Sequence, residues 1–384
     1  MNAELVAQAA ERGADGLGEG SSSRFQMLTH LGILEGVVDG AGNLIPGAHQ
    51  GGEGIANVTL GRPRFVGHGL IDVAEASTQV AHLLVRTAPG SARGRSIVGV
   101  RLHLLDGTYE LFRAHYGRRD TVVGKDGSDL RATVGIMDST LGLLREPGVT
   151  HLAASFDTVI ESFRNRMFAG YKTSAGMDPD LLAQFPLAER GVAALGVVVW
   201  GNIEHEADDA IGTAAVRWVD DVEQVVICTP DKDMAQLVVG DRIVTYNRRE
   251  GTVMNEAGVV AKFGIHPESI PDYLGLVGDT ADGIPGIPGW GAKSTSVVLA
   301  RYGRIEMIPP AFADWDVPVR GGARLAESLQ ANLDDSYLYR DLARLRLDVP
   351  IAESLDDLEW KGIDRPALEE FCDGLGLDPD RFRV

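Results

Sequence analysis

The chain has 384 residues, with 55 acidic against 36 basic side chains, a formal net charge of −19 and 44% hydrophobic residues. That length suits one large domain or two to three smaller ones, and no run of about 18 apolar residues is present that could span a bilayer. Taken alone, the acidic excess speaks against nucleic acid, whose phosphates are usually met by a basic surface.

The first residues, MNAELVAQAAERGADG, show no basic stretch followed by an apolar core, so no secretory signal is expected. Cys228 and Cys372 lie far apart and outside any metal-ligand spacing, which reads as reduced thiols in the cytoplasm. Residues 1–97 carry glycine-rich patches (GLGEGSSS, DGAGN, HQGGEG), few aromatics and no sustained alternation of strand and helix patterns. They are expected to be a poorly ordered or appended segment, with a small independent domain as the alternative.

From residue 97 the pattern sharpens. Apolar runs predict buried strands at 97–105, 150–156, 194–200 and 223–229, with DRIVTY at 241–246 as a fifth. Between them, Leu130, Val134, Met137, Leu141 and Leu144 recur at helical spacing, as do Ala210, Ala214 and Ala215. Strands alternating with helices imply an α/β fold with a parallel sheet covered on both faces. Beyond about residue 254 the strand patterns stop, and helices are predicted near 294–302, 323–333 and 337–345.

Each of the first four strands runs into acid: Asp106, then Asp157, then Glu206, Asp208 and Asp209, then Asp231 and Asp233. Any one of these acids could be an ordinary helix cap or turn, since the helix macrodipole favours negative charge at its start. Together they point elsewhere, because sites in open α/β sheets form beyond the carboxyl ends of the strands. Carboxylates crowded there raise one another's pKa unless cations sit among them. Oxygen ligands without cysteine select Mg²⁺ or Mn²⁺ over zinc.

The stretch GLVGDTADGIPGIPGWGAKST (275–295) adds Asp279 and Asp282, three residues apart between the α/β part and the helical tail. They are expected to complete a second cation site, since two divalent ions about 4 Å apart clamp both oxygens of a phosphodiester displacement. The glycine-flanked turn that follows, Gly289-Trp290-Gly291, opens a helix, and Lys293 adds a charge beside it. Exposed backbone N–H groups at such a turn suit a phosphate and read no base sequence. A plain Gly/Pro turn between packed helices is the other reading.

With these residues in hand, 98 to about 376 resembles the bacterial 5′-nuclease family: the 5′–3′ exonuclease domain of DNA polymerase I and its stand-alone and phage flap-endonuclease relatives. The resemblance rests on DGTYELFRAHYG (106–117), FDTVIESFRNRMFAGYK (157–172), EADD (206–209), TPDKDMAQL (229–237), GDTADGIPGIPGWGAKS (278–294) and YLYRDLARLRLDVPI (337–351). It implies a PIN-like catalytic domain over 98–270 and a helix-hairpin-helix DNA-binding and helical region over 271–384. It implies Mg²⁺-dependent hydrolysis of DNA near free 5′ ends, flaps or nicks by a stand-alone, monomeric nuclease.

By position, the resemblance makes Asp106, Asp157, Glu206 and Asp208 a first metal site with Asp209 beside it. Asp231, Asp233, Asp279 and Asp282 then form a second. Arg113 and Lys172 match cationic side chains that steer the scissile phosphate, and Tyr171 matches an aromatic on which a terminal base stacks. The turn 286–293, with Gly286, Gly289, Trp290, Gly291 and Lys293, resembles the element that grips duplex DNA and can hold K⁺. The chain departs from the pattern at Ala281 and Gly283, where the family carries Ser and Asn. It departs again at Ser174–Ala175, where relatives often carry arginine.

Overall fold

The computed structural model describes residues 97–384 together with two short strands, β1 (Val37–Val38) and β2 (Leu44–Ile45). The chain divides into two units, Met1–Ile71 and Asp72–Val384. In the first, β1 and β2 pair antiparallel; the remainder of the expectation for 1–97 falls outside the described residues.

The second unit is built on a six-stranded sheet of β3 (Ile97–Asp106), β4 (His151–Asp157), β5 (Val198–Asn202), β6 (Val222–Cys228), β7 (Ile243–Asn247) and β8 (Thr252–Met254), in the order β5-β4-β3-β6-β7-β8. The pairs among β3 to β7 are parallel, as the alternating pattern predicts. β8 departs from it: the 248–251 turn is far too short for a crossover helix, so β8 pairs antiparallel with β7 and ends the sheet.

Period-two alternation sends side chains to two cores. Leu102, Leu104, Ala153, Val225 and Ile227 face one side, and Leu105, Leu152, Ala154, Phe156, Val226 and Cys228 the other. The second face is covered by α1 (Gly107–Tyr116), α2 (Arg131–Leu144) and α5 (Phe185–Ala194). The short α3 (Phe163–Met167) and α4 (Pro179–Leu182) lie in the loop after β4, and α6 (Ala207–Trp218) covers the first face.

A third core belongs to the helices after the sheet: α7 (Glu256–Phe263), α8 (Ile270–Val277), α9 (Ala292–Tyr302), α10 (Gly322–Ala331) and α11 (Leu333–Ala343). Asn255 caps α7 by accepting from Gly258 N–H, and Gly264 ends it in the left-handed conformation. This core also takes in Tyr171, Ala235 and Val238, so the helical layer is packed against the carboxyl end of the sheet.

The chain then returns to the sheet. Leu345 and Leu358 join the α6 face, and Trp360 N–H donates to the Thr150 carbonyl at 2.9 Å. Leu368, Phe371 and Cys372 of α12 (Arg365–Leu375), with Phe382, fill the opposite face. The sequence pattern assigns these residues to the helical region, yet they complete both cores of the α/β layer.

Candidate metal centre and nucleic-acid interface

The chain passes from β3 outward to β4 and β5, then crosses back to β6 on the other flank of β3. That reversal opens a crevice beyond the carboxyl ends of β3 and β6, the place where open α/β sheets hold ligands. Asp106 closes β3 and is also the N-cap of α1, so its carboxylate is fixed by two strongly directional bonds. Its Oδ1 accepts from Tyr109 N–H and its Oδ2 from Thr229 Oγ1, each at 2.8 Å. Asp157 closes β4, and its Oδ1 accepts from Ala207 N–H at 2.6 Å, tying it to the start of α6. Thr108, whose Oγ1 accepts from Asp157 N–H at 2.8 Å, joins Tyr109 and Thr229 in holding the strand-end acids; motif reading does not single these residues out, and their signal is adjacency to those acids.

Burial pushes the Asp106 carboxyl up to about 7, and the charges of Asp157 and Asp231 push the same way against its hydrogen bonds. Burial likewise lifts Asp157 to about 6, with Lys172 opposing and Glu206 reinforcing. Asp208 is driven well above the usual carboxylate range by burial, then by Asp106 and Asp231. Asp106, Asp157 and Asp208 therefore lie close together and resist being charged together, with Asp231 beside them.

A second group stands beside them. Asp233, Asp279 and Asp282 each offer an oxygen within 4.8 Å of the others. Burial and the charges of Asp231, Asp282 and Asp279 raise Asp233 well above its ordinary value. Its buried Oδ1 has no hydrogen-bond partner. An orphaned buried carboxylate oxygen facing two further carboxylates fits a hard divalent cation.

Cations of the chain lie between and beside the groups. Lys172 Nζ is 2.9 Å from both Glu206 Oε2 and Asp282 Oδ1, and Lys232 pairs with Asp279. Burial works to raise Glu206, but Arg164 and Lys172 outweigh it and hold the carboxyl at about 2.

Several expected residues take other places. Asp209 is fully buried and bound in a fork by Arg164, Nη1 to Oδ2 at 2.8 Å and Nη2 to Oδ1 at 2.7 Å, while Arg346 N–H donates to Oδ1. It is a lock rather than a free metal ligand. Arg164 also donates to Glu206 Oε1 and to the carbonyls of Leu342 and Arg344, so its guanidinium is fully used. The motif at 157–172 contains Arg164, but spacing alone gives no hint of that role. Tyr171 is buried in the helical core with its hydroxyl donating to Glu206 Oε2 at 3.2 Å, which leaves no face for a base. Arg113 pairs with Glu110 and donates to Ser139 Oγ, on the α2 side of α1.

The turn after α8 divides in the same way. Gly286 has φ +72°, and a Cβ there would lie 2.5 Å from the Val277 carbonyl carbon, so only glycine fits. Trp290 is 5% exposed and donates to the Leu325 carbonyl at 3.1 Å; it anchors the turn in the core rather than facing DNA. Gly289, Gly291 and Lys293 are exposed at the start of α9, with open space around Gly291.

Two family models match the chain in tandem: the 5′–3′ exonuclease N-terminal resolvase-like domain over residues 101–264 and the 5′–3′ exonuclease C-terminal SAM fold over 265–366. A 5′–3′ exonuclease of Aquifex aeolicus is 30% identical over 270 residues, which cover 70% of this chain and 90% of that protein. The chain belongs to the 5′–3′ exonuclease family. DNA polymerase I of Mycobacterium bovis is 34% identical over 288 residues, 74% of this chain but only 31% of the polymerase. The solved structure of T5 5′-exonuclease with divalent metal ions (zinc) bound shares the fold, with a TM-score of 0.51 at 16% identity, covering 71% of this chain and 97% of that one. The PIN-like sheet with a helical region behind it is thus the architecture of a 5′–3′ exonuclease.

Proposed function

We propose that this protein hydrolyses DNA phosphodiester bonds near free 5′ ends, as a 5′–3′ exonuclease and flap endonuclease dependent on Mg²⁺, with Mn²⁺ as a substitute. One observation carries the reading: acids from four strand ends and from the 279–282 turn converge on the sheet's switch point in two adjoining groups. Asp106, Asp157 and Asp208 would hold one ion, with Glu206 as their neighbour, and Asp233, Asp279 and Asp282 another; Asp231, expected with the second group, stands between the two, acting on both Asp106 and Asp233. A bound pair supplies a lowered water pKa and neutralises charge on the leaving oxygen.

The chain's own residues do the positioning. Thr229 and Tyr109 N–H aim Asp106, Ala207 N–H aims Asp157, and the Lys172 ammonium is held where it would meet negative charge on the phosphoryl oxygens. Arg113, one-third exposed at the end of α1, would contact phosphate farther along the strand by exchanging Glu110 for it. The exposed backbone at Gly289, with Lys293, would grip the duplex, and the Gly291 N–H, which donates to Ser294 Oγ at 3.2 Å, would exchange that bond for a phosphate oxygen. The carbonyls of the same turn would be the place for the K⁺ ion that the family resemblance implies. The proposed working state is a monomer. Cys228 and Cys372 are buried and unpaired, in keeping with the cytoplasm. Among the described residues no helix is long and apolar enough to cross a membrane.

Cleavage of a labelled 5′ flap, a nicked duplex and an RNA strand, each with Mg²⁺ and with EDTA, tests the proposal. Mg²⁺-dependent cutting of the DNA substrates is expected, and Asp231→Asn should abolish it while leaving DNA binding largely intact. Full activity in that variant would show that the acids are misassigned.

A further inference from the structure

The segment that carries Lys172 meets the 279–284 turn through its backbone as well as through the Lys172 ammonium. Lys172 N–H donates to the Asp282 carbonyl at 3.0 Å, and the Lys172 carbonyl accepts from Asn165 Nδ2 at 2.8 Å. Beside Asp282, Gly283 has φ +76°, and a Cβ built on it would overlap the Gly170 carbonyl oxygen. On the outer side of the loop, Ser174 N–H and Oγ donate to Glu161 Oε1 at 2.8 and 2.6 Å, closing the segment on itself. A lysine side chain has several free torsions and a point charge, so nothing intrinsic fixes its ammonium. Here its backbone is held at both the N–H and the carbonyl, and the ammonium spans Glu206 and Asp282 at 2.9 Å each.

We propose that Gly170 and Gly283 form a backbone clasp that sets Lys172 between the two carboxylate groups, making Gly283 a positioning residue for cleavage. The inference rests on the role given to Lys172 above. Gly283 meets two separable demands: a left-handed φ and an absent Cβ. The family pattern carries asparagine at this position, and asparagine tolerates the first demand better than other side-chain-bearing residues; in this chain, however, its Cβ would meet the Gly170 carbonyl oxygen, so it fails the second. Gly283→Asn therefore keeps the turn while pushing residues 170–172 away from it.

The test is single-turnover cleavage of a 5′-flap DNA by the wild type, Gly283→Asn, Lys172→Ala and the double variant, with Mn²⁺ affinity and melting temperature measured for each. Gly283→Asn is expected to slow cleavage by about 10- to 100-fold, the scale of a catalytic group displaced by around an ångström. Its Mn²⁺ affinity should stay within about threefold of wild type, a difference under about 1 kcal/mol. In the Lys172→Ala background the same change should cost less than about twofold, because its target is already gone.

A double variant whose defects multiply overturns the clasp alone, as does Gly283→Asn with wild-type rates or with its loss matched by lost Mn²⁺ affinity. Lys172→Ala cutting at the wild-type rate overturns both the clasp and the role of Lys172. Should Gly283→Asn fail to fold, Asn165→Asp replaces it. That variant keeps the acceptor for Ser162 N–H but loses the donor to the Lys172 carbonyl, so it must show the same non-additivity, and multiplying defects there overturn the clasp.

Discussion

Asp208 and Asp209 are adjacent, both acidic and both at the start of α6, yet their surroundings give them opposite work. Asp208 faces Asp106 and Asp231, where like charge makes ionisation costly. Asp209 faces Arg164 and completes a buried fork whose loss leaves the guanidinium with Glu206 as its remaining carboxylate partner. Asp209→Asn should therefore destabilise the protein by about 3 kcal/mol in denaturant titration. Asp208→Asn should leave metal-free stability unchanged or raised while weakening Mn²⁺ binding. Equal losses of stability in the two variants would show that the structure misplaces the lock. The sequence makes the pair legible as acids but not their division, because helix phase puts them about 100° apart and only the neighbouring chain decides what each meets.

β3 carries a group that its hydrophobic run conceals. His103 lies in the central strand, 6% exposed, with its Nδ1 unpartnered, and burial lowers its pKa from 6.5 to about 4. Below about 6.5 the unfolded chain takes up a proton that the folded chain refuses, so stability falls as pH drops through this window and levels off below about 4. The full shift corresponds to at most about 3 kcal/mol. Urea titrations of the wild type and His103→Gln between pH 7 and 4 should show the variant losing less stability; parallel curves would mean His103 is protonated in the fold. At the same scale, most strands read well from their apolar runs, and β6 spans Val222–Cys228 where the pattern predicts 223–229; the run predicted as a strand over 194–200 instead begins in the last residue of α5, and β5 spans Val198–Asn202. β8 does not read, since it is three residues long and largely exposed, with no hydrophobic signal of its own.

Over the whole molecule, a net charge of −19 stands beside a proposed DNA substrate: eight of the 55 acids are assigned to the crevice where divalent ions would offset them, and phosphate contacts are assigned to Lys172, Arg113 and Lys293. A divalent ion binding there favours the folded state, by about 2.7 kcal/mol at a hundredfold excess over Kd. Mg²⁺ should accordingly raise the melting temperature and EDTA reverse the gain, and a melting temperature indifferent to both would leave the crevice without its ions. Duplex affinity should fall steeply with salt, and Lys293→Ala should lessen the slope of log K against log salt by about 1, the contribution of a single phosphate contact. An unchanged slope would remove Lys293 from the interface.

By itself the sequence determined the parallel sheet, the acid at each strand end, the glycine turn before α9 and the family, because strand period, residue type and motif spacing are local properties. Tertiary structure alone decided that Asp209 faces a buried arginine, that Tyr171 and Trp290 are core anchors, and that residues 345–384 wrap back over both faces of the sheet. These depend on which distant side chain arrives at a given surface, and packing between segments far apart in the chain leaves no periodic trace in either one.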